Sequence, residues 1–95
     1  MTIPKIIGEA KVIFYLQLND ANIQTGNTKH YISGNEQNNF SNLAICQYTN
    51  DQGFYLFYCD ENWNNITDTW HESIEDAIEQ AEFEFSGTTH QWKKS

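Results

Sequence analysis

The stretch LAICQYTNDQGFYLFYCD, residues 43–60, decides the fold. Two runs rich in β-branched and aromatic residues flank the polar loop of residues 50–53, whose composition favours a chain reversal. The pattern predicts two antiparallel strands, residues 43–49 and 54–60, joined as a hairpin. If Cys46 lies opposite Phe57, both faces of the hairpin are apolar. One face then carries Ala44, Cys46, Tyr48, Tyr55, Phe57 and Cys59, and the other carries Leu43, Ile45, Phe54, Leu56 and Tyr58.

Neighbouring segments extend this hairpin into a sheet. Residues 10–18 alternate in character at period two, which predicts a strand. Residues 65–70 predict a weaker strand after a turn at residues 61–64. Residues 19–42 form a polar, loop-rich segment, in which residues 29–33 could form a short strand that ends at Gly34. We therefore expect an antiparallel β-meander of about four strands. One face of the first strand is predicted to carry Val12, Phe14, Leu16 and Leu18.

The hydrophobic period changes near the C-terminus. Ser73 is a suitable N-cap with Asp76 three residues later, and Gly87 is a suitable left-handed stop. The pattern predicts one C-terminal amphipathic helix over residues 74–85, and hence an α+β fold. One helix covers only one face of the sheet, so the N-terminal segment, the polar segment, the Trp92 tail or a second protomer should cover the other. The apolar stripe of the helix is Ile74, Ala77, Ile78, Ala81 and Phe85.

Length and charge limit the functional classes. Residues 1–95 are expected to form a single domain, because a chain of this size buries one core. The formal net charge is -8, all 5 basic residues are lysines, and none lies between His30 and Trp92. Such a surface repels phosphates and anionic lipids, which argues against nucleic acid and membrane as partners. Without an apolar run of ~18 residues or a signal-peptide pattern, we expect a cytoplasmic location.

One candidate cation site lies in the turn after the hairpin. Asp60, Asn62, Asn64 and Asp68 have the oxygen-ligand spacing of a calcium loop. Asn65 stands where that loop has glycine, which weakens the match. The alternative is an Asn-rich reverse turn whose side chains bind their own backbone.

Two further candidates are a histidine motif and the thiols. His71 to Glu75 resembles a zinc-helix motif in spacing, but the Ser73 cap places His71 outside the helix, so no metal site is predicted. Cys46 and Cys59 could act as nucleophiles only with a nearby base and a positive environment. Their position among strand aromatics predicts buried, unreactive thiols instead.

The polar side of the predicted helix carries an acidic stripe flanked by Glu84. A solvated helix face is one interpretation, and a docking surface for a basic protein is the other. The candidate partner-binding residues are Glu72, Glu75, Asp76, Glu79 and Glu82.

The sequence shows no phosphate loop, dinucleotide fingerprint or nucleophile elbow, so we predict no catalytic residues and no cofactor. The expected function is that of a small acidic, non-enzymatic protein-binding domain that occludes a basic site on its partner. Bacterial immunity proteins and phage-encoded inhibitors share its size, acidity and α+β class, which is an analogy of physical type only. The alternative is a structural homodimer or small-ligand module that uses the aromatic face of the sheet.

Overall fold

The computed structural model describes residues 3–95. It is an α+β fold in which one helix packs on one face of an antiparallel sheet. In chain order the elements are β1 (Ile6–Ile7), β2 (Ala10–Gln17), β3 (His30–Ile32), β4 (Asn35–Gln37), β5 (Asn42–Gln47), β6 (Phe54–Cys59), β7 (Asn65–His71), α1 (Ile74–Glu84), a 3-10 helix (Thr88–His90) and β8 (Lys93–Lys94).

The main sheet has the strand order β1-β2-β5-β6-β7, with β8 also paired to β2, while β3 and β4 form a separate hairpin. The predicted class is confirmed, but the described residues contain eight strands instead of about four. The four additional strands, β1, β3, β4 and β8, are only two or three residues long, and β3 lies within the short strand considered at residues 29–33. A strand of two or three residues is too short to show a hydrophobic period in the sequence. The positions of β1 and β8 depend instead on pairing with β2, and β3 and β4 depend on pairing with each other.

The central hairpin has the predicted faces and a different register. Tyr55, not Phe57, lies opposite Cys46. A shift of two residues leaves every side chain on the same face, since side chains alternate along a strand. Both faces are therefore apolar, as predicted, and each contributes to its own core cluster.

Strand β2 departs from simple alternation at Ile13. The register moves from Val12 opposite Cys46 to Phe14 opposite Ile45, so Ile13 forms a β-bulge. The extra residue reverses the parity of the strand. Val12 consequently packs on the side away from α1, while Phe14 packs towards it. The prediction that these two side chains share a face is wrong for this reason.

Helix α1 begins at the predicted position. The Ser73 side chain accepts a 3.0 Å hydrogen bond from the backbone N–H of Asp76, which satisfies one of the unpaired N–H groups of the first turn. Ala77 and Ala81 are fully buried against the sheet, and Phe85 follows them into the same cluster. Gly87 adopts a left-handed φ of 83° and leads into the 3-10 helix.

The sheet face away from α1 is partly covered from within the chain. Trp63, in the turn after β6, is only 5% exposed and packs edge to face on Tyr15 with ring centroids 5.9 Å apart. Ile3 and Ile7 of the N-terminal segment join the same cluster. The N-terminal segment thus covers this face as one of the predicted alternatives, whereas Trp92 packs on the helix side.

The polar segment closes the C-terminal end of α1. Thr25 donates its backbone N–H to the carbonyl of Glu84 at 2.9 Å, and Asn27 donates its side-chain amide to the carbonyl of Phe83 at 2.9 Å. The Asn22 side chain donates to the carbonyl of Ser86. These contacts satisfy carbonyls that the end of a helix leaves unpaired. We call residues 22–30 the clasp.

Candidate functional site

The outward side of α1 and the residue before its N-cap present four of the five predicted partner-binding carboxylates to solvent. Glu72, Glu75, Asp76 and Glu79 are exposed, and we call these four residues the acidic face. Within residues 3–95, the ion pairs involve Glu84 and Asp76 but not the other three carboxylates of the face. The charge of those three is therefore not compensated by a cationic side chain of the described chain.

An aromatic side chain adjoins the acidic face. Phe83 lies one helical turn after Glu79 and is 51% exposed. It borders a shallow groove of about 280 Å³ that is also lined by Asp76, Glu79 and Gln80. Aromatic residues that stay exposed in a free protein are typical anchors of protein interfaces. The neighbouring carboxylates favour a basic surface as the complement.

Asp76 is held in place by a buried histidine. His71 Nδ1 lies 2.7 Å from Asp76 Oδ2, and His71 Nε2 lies 2.7 Å from Thr69 Oγ1. His71 is the last residue of β7 and lies outside α1, as predicted. Instead of contributing to a helical metal pair, the imidazole joins the first turn of α1 to β7.

Glu82 differs from the rest of the stripe because its carboxylate is used inside the chain. It accepts hydrogen bonds from the backbone N–H groups of Gly87 (2.7 Å) and Thr89 (3.0 Å) and from the Thr89 hydroxyl. The hydroxyl of Thr89 is the largest of the causes that lower the pKa of Glu82 to about 2, followed by the two N–H groups. Glu82 thus stabilises the turn after α1.

Glu84, predicted to flank the stripe, is instead 2% exposed inside the protein. Its carboxylate lies 2.6 Å from His30 Nε2 and accepts hydrogen bonds from the Tyr58 hydroxyl and from Gln80 Nε2. Burial, followed by the adjacent charge of Glu84, raises the pKa of Tyr58. We call Glu84, His30, Tyr58 and Gln80 the buried polar cluster.

The sequence contains a signal for the burial of Glu84, although the acidic residues around Glu84 obscure it. It lies seven residues after Ala77 and three after Ala81, which places it on the apolar stripe of the helix. Its partner His30 is 54 residues away along the chain. Helical spacing alone could therefore have predicted the burial, but not the group that compensates it.

Charge is distributed unevenly across the sheet. Lys11 lies on β2, Lys5 directly precedes β1, and Lys93 and Lys94 form β8. Helix α1 packs on β6 and β7, which lie towards the other edge. Four of the five lysines therefore lie on the β1, β2 and β8 side of the sheet, away from the strands on which α1 packs.

The calcium-like spacing is explained by a turn in this structure. The Asp60 carboxylate accepts hydrogen bonds at 2.9 Å from the backbone N–H groups of Asn62 and Asn64. The N–H of Asn64 is the largest influence that lowers the pKa of Asp60. Asp68 lies farther along on β7 and accepts from the Asn65 side chain. These bonds are those of the Asn-rich reverse turn.

Both thiols are free and buried, as predicted. Burial, with a smaller contribution from Cys59, raises the pKa of Cys46 to about 12. Burial and then the charge of Asp60 raise the pKa of Cys59 to about 12. Both side chains therefore stay protonated and poorly nucleophilic near neutral pH.

Comparison with protein-family models, curated proteins and solved structures finds no significant match to this chain. Among residues 3–95, no three or more His, Cys, Asp or Glu side chains are grouped as a metal site would require. The same part of the chain contains no helix with the length and apolar character needed to span a membrane.

Proposed function

We propose that this chain is a small, non-enzymatic protein-binding domain whose acidic face docks on a basic site of a partner and occludes it. In this respect it would act in the manner of an immunity or inhibitor protein. The observation that supports the proposal most directly is the acidic face itself. It combines four exposed carboxylates with the groove beside Phe83.

The helix that carries this face is well ordered before binding. Ser73 caps its first turn and the clasp closes its last turn. A preorganised surface loses little conformational freedom on association, which favours affinity. The separation of lysines from the acidic face would also orient the encounter, so association should be fast and sensitive to salt.

The environment of the reactive groups supports binding over catalysis. A catalytic centre needs a nucleophile or an acid–base pair that a substrate can reach. Cys46, Cys59 and Glu84 are enclosed in the protein. Glu75 and Glu79 are both exposed on α1, and an environment that they share does not separate their roles into acid and base.

The test is partner capture from the native host with the wild type and the variant Glu75→Lys/Glu79→Lys. The matched control is Asp20→Lys/Glu36→Lys, which makes the same charge change at exposed positions outside α1. We expect the wild type and the control to recover the same basic protein and the α1 variant to lose it. Binding of the purified pair should weaken as salt rises.

Thermal melting of all three proteins shows whether the α1 variant is folded. Equal recovery by the two variants would contradict docking through the acidic face. Recovery of the chain itself as the sole partner would favour the homodimer instead.

A further inference from the structure

The sheet face opposite α1 has a second surface that combines aromatic and acidic side chains. Tyr48 and Tyr55 pack edge to face, with ring centroids 5.2 Å apart and an interplanar angle of 85°. Trp70 on β7 lies directly across from Tyr55 on β6 and is 53% exposed. Asp51 lies in the loop between β5 and β6, and Asp68 lies two residues before Trp70 on the same face of β7. We call these five residues the aromatic corner.

Both carboxylates act on the centre of the corner. Asp51 Oδ1 accepts a 2.8 Å hydrogen bond from the N–H of Gly53, which fixes the loop beside the rings. Desolvation is the first of the causes that raise the pKa of Tyr55, and the charges of Asp51 and Asp68 act in the same direction. No ion pair within residues 3–95 neutralises either carboxylate.

The backbone beneath Trp70 keeps its indole in this position. A Cβ atom on Gly53 would lie 2.1 Å from Trp70 Nε1 and 2.4 Å from Cε2, so the indole occupies the space of the missing side chain. The indole therefore packs over Gly53 and still exposes about half of its surface. Large exposed aromatic surface in a folded protein commonly marks a binding site.

We propose that the aromatic corner binds the guanidinium group of an arginine side chain presented by a partner protein. A cation is attracted to the face of an aromatic ring, most strongly to tryptophan, and arginine is the cation most often found there. The planar guanidinium can lie on a ring while its N–H groups donate to a carboxylate. The corner supplies the rings and two carboxylates together.

This site is distinct from the acidic face. Tyr55 and Trp70 lie on the sheet face that α1 does not cover, because Leu56 and Tyr58 of the same strand point towards α1. The arginine proposal therefore does not depend on docking through α1. Each can fail while the other holds.

The experiment is a titration of the ¹⁵N-labelled protein with acetyl-Gly-Arg-Gly-amide, observed at the indole N–H signals. Trp63 and Trp92 are internal references, and Trp70→Leu assigns the third signal. The comparison peptide carries citrulline, which has the shape of arginine without its charge. We expect a saturable shift of the Trp70 signal with the arginine peptide and little shift with citrulline.

Two variants and two matched controls show whether the corner itself binds. Asp68→Asn and Trp70→Leu should each weaken binding by about tenfold, since each removes one charge or ring contact. Glu36→Gln and Tyr31→Leu remove the same kinds of group from exposed positions on the β3–β4 hairpin and should bind like the wild type. If Trp70→Leu is not folded, the proposal is tested by comparing peptide binding by Asp68→Asn with peptide binding by Glu36→Gln.

Three results would overturn the proposal. The first is equal shifts with arginine and citrulline, which would show that charge is irrelevant. The second is equal binding by Asp68→Asn and Glu36→Gln. The third is a Trp70 signal that moves with protein concentration before any peptide is added, which would assign the corner to a second copy of the chain.

Discussion

Replacing Glu84 with alanine should destabilise the protein far more than removing any exposed carboxylate of α1. The change deprives the Tyr58 hydroxyl and His30 Nε2 of the acceptor that they share. Tyr58 is 0% exposed and His30 is 7% exposed, so water cannot readily replace that acceptor. Each buried donor left unsatisfied costs about 1–3 kcal/mol, which gives about 4 kcal/mol for the pair. Gln80 is only partly buried and can turn to solvent.

This loss is a large fraction of the free energy of unfolding of a small domain, which is about 5–15 kcal/mol. The measurement is urea unfolding followed by tryptophan fluorescence and by far-ultraviolet circular dichroism. Glu79→Ala is the matched control, because Glu79 is an exposed glutamate of the same helix, and it should change stability by less than about 0.5 kcal/mol.

A double-mutant cycle with Tyr58→Phe separates the buried polar cluster from general helix effects. Removing the hydroxyl first should reduce the cost of Glu84→Ala by about 1 kcal/mol or more, because one of the orphaned donors is then absent. Additive changes, or a loss below about 1 kcal/mol for Glu84→Ala alone, would refute the reasoning.

Two further predictions concern titration and reactivity. The pKa of Glu82 is lowered from 4.5 to about 2 in the folded protein, so its hydrogen bonds stabilise the fold above pH 4.5 and that stabilisation is lost as the pH falls towards 2. Across this pH range, the free energy of unfolding should depend less on pH for Glu82→Gln than for the wild type. Parallel pH dependences of the two proteins would contradict the stabilising role of the Glu82 carboxylate. Cys46 and Cys59 should react slowly with a thiol reagent in the native protein and rapidly in denaturant, since their pKa values are raised to about 12 by burial. Rapid labelling of the native protein would show that a thiol is accessible.

The parts of the fold that the sequence predicts are those specified by near neighbours. The central hairpin, the Ser73 cap and the burial of both cysteines follow from local period and turn residues. The bulge at Ile13 does not, because a single extra residue is fixed by pairing with β5 and leaves no mark in the composition of β2.

The same distinction applies to the candidate site. Most of the acidic face could be predicted because helical spacing places Glu75, Asp76 and Glu79 on one side of α1. The burial of Glu84 depends on His30 and Tyr58, which come from other parts of the chain. The aromatic corner required the register of β6 and β7, since only pairing places Trp70 across from Tyr55.

The clasp also has a consequence for the order of folding. His30 and Glu84 are separated by 54 positions, and the chain between them includes the whole β5–β6–β7 meander. Closing so long a loop costs more entropy than closing a hairpin, so the meander should form first. During synthesis, residues 22–30 emerge well before the helix end that they close. Until the last turn of α1 has been translated, this polar segment has no acceptor carbonyls to bind, and it should acquire protection from hydrogen exchange among the last parts of the protein.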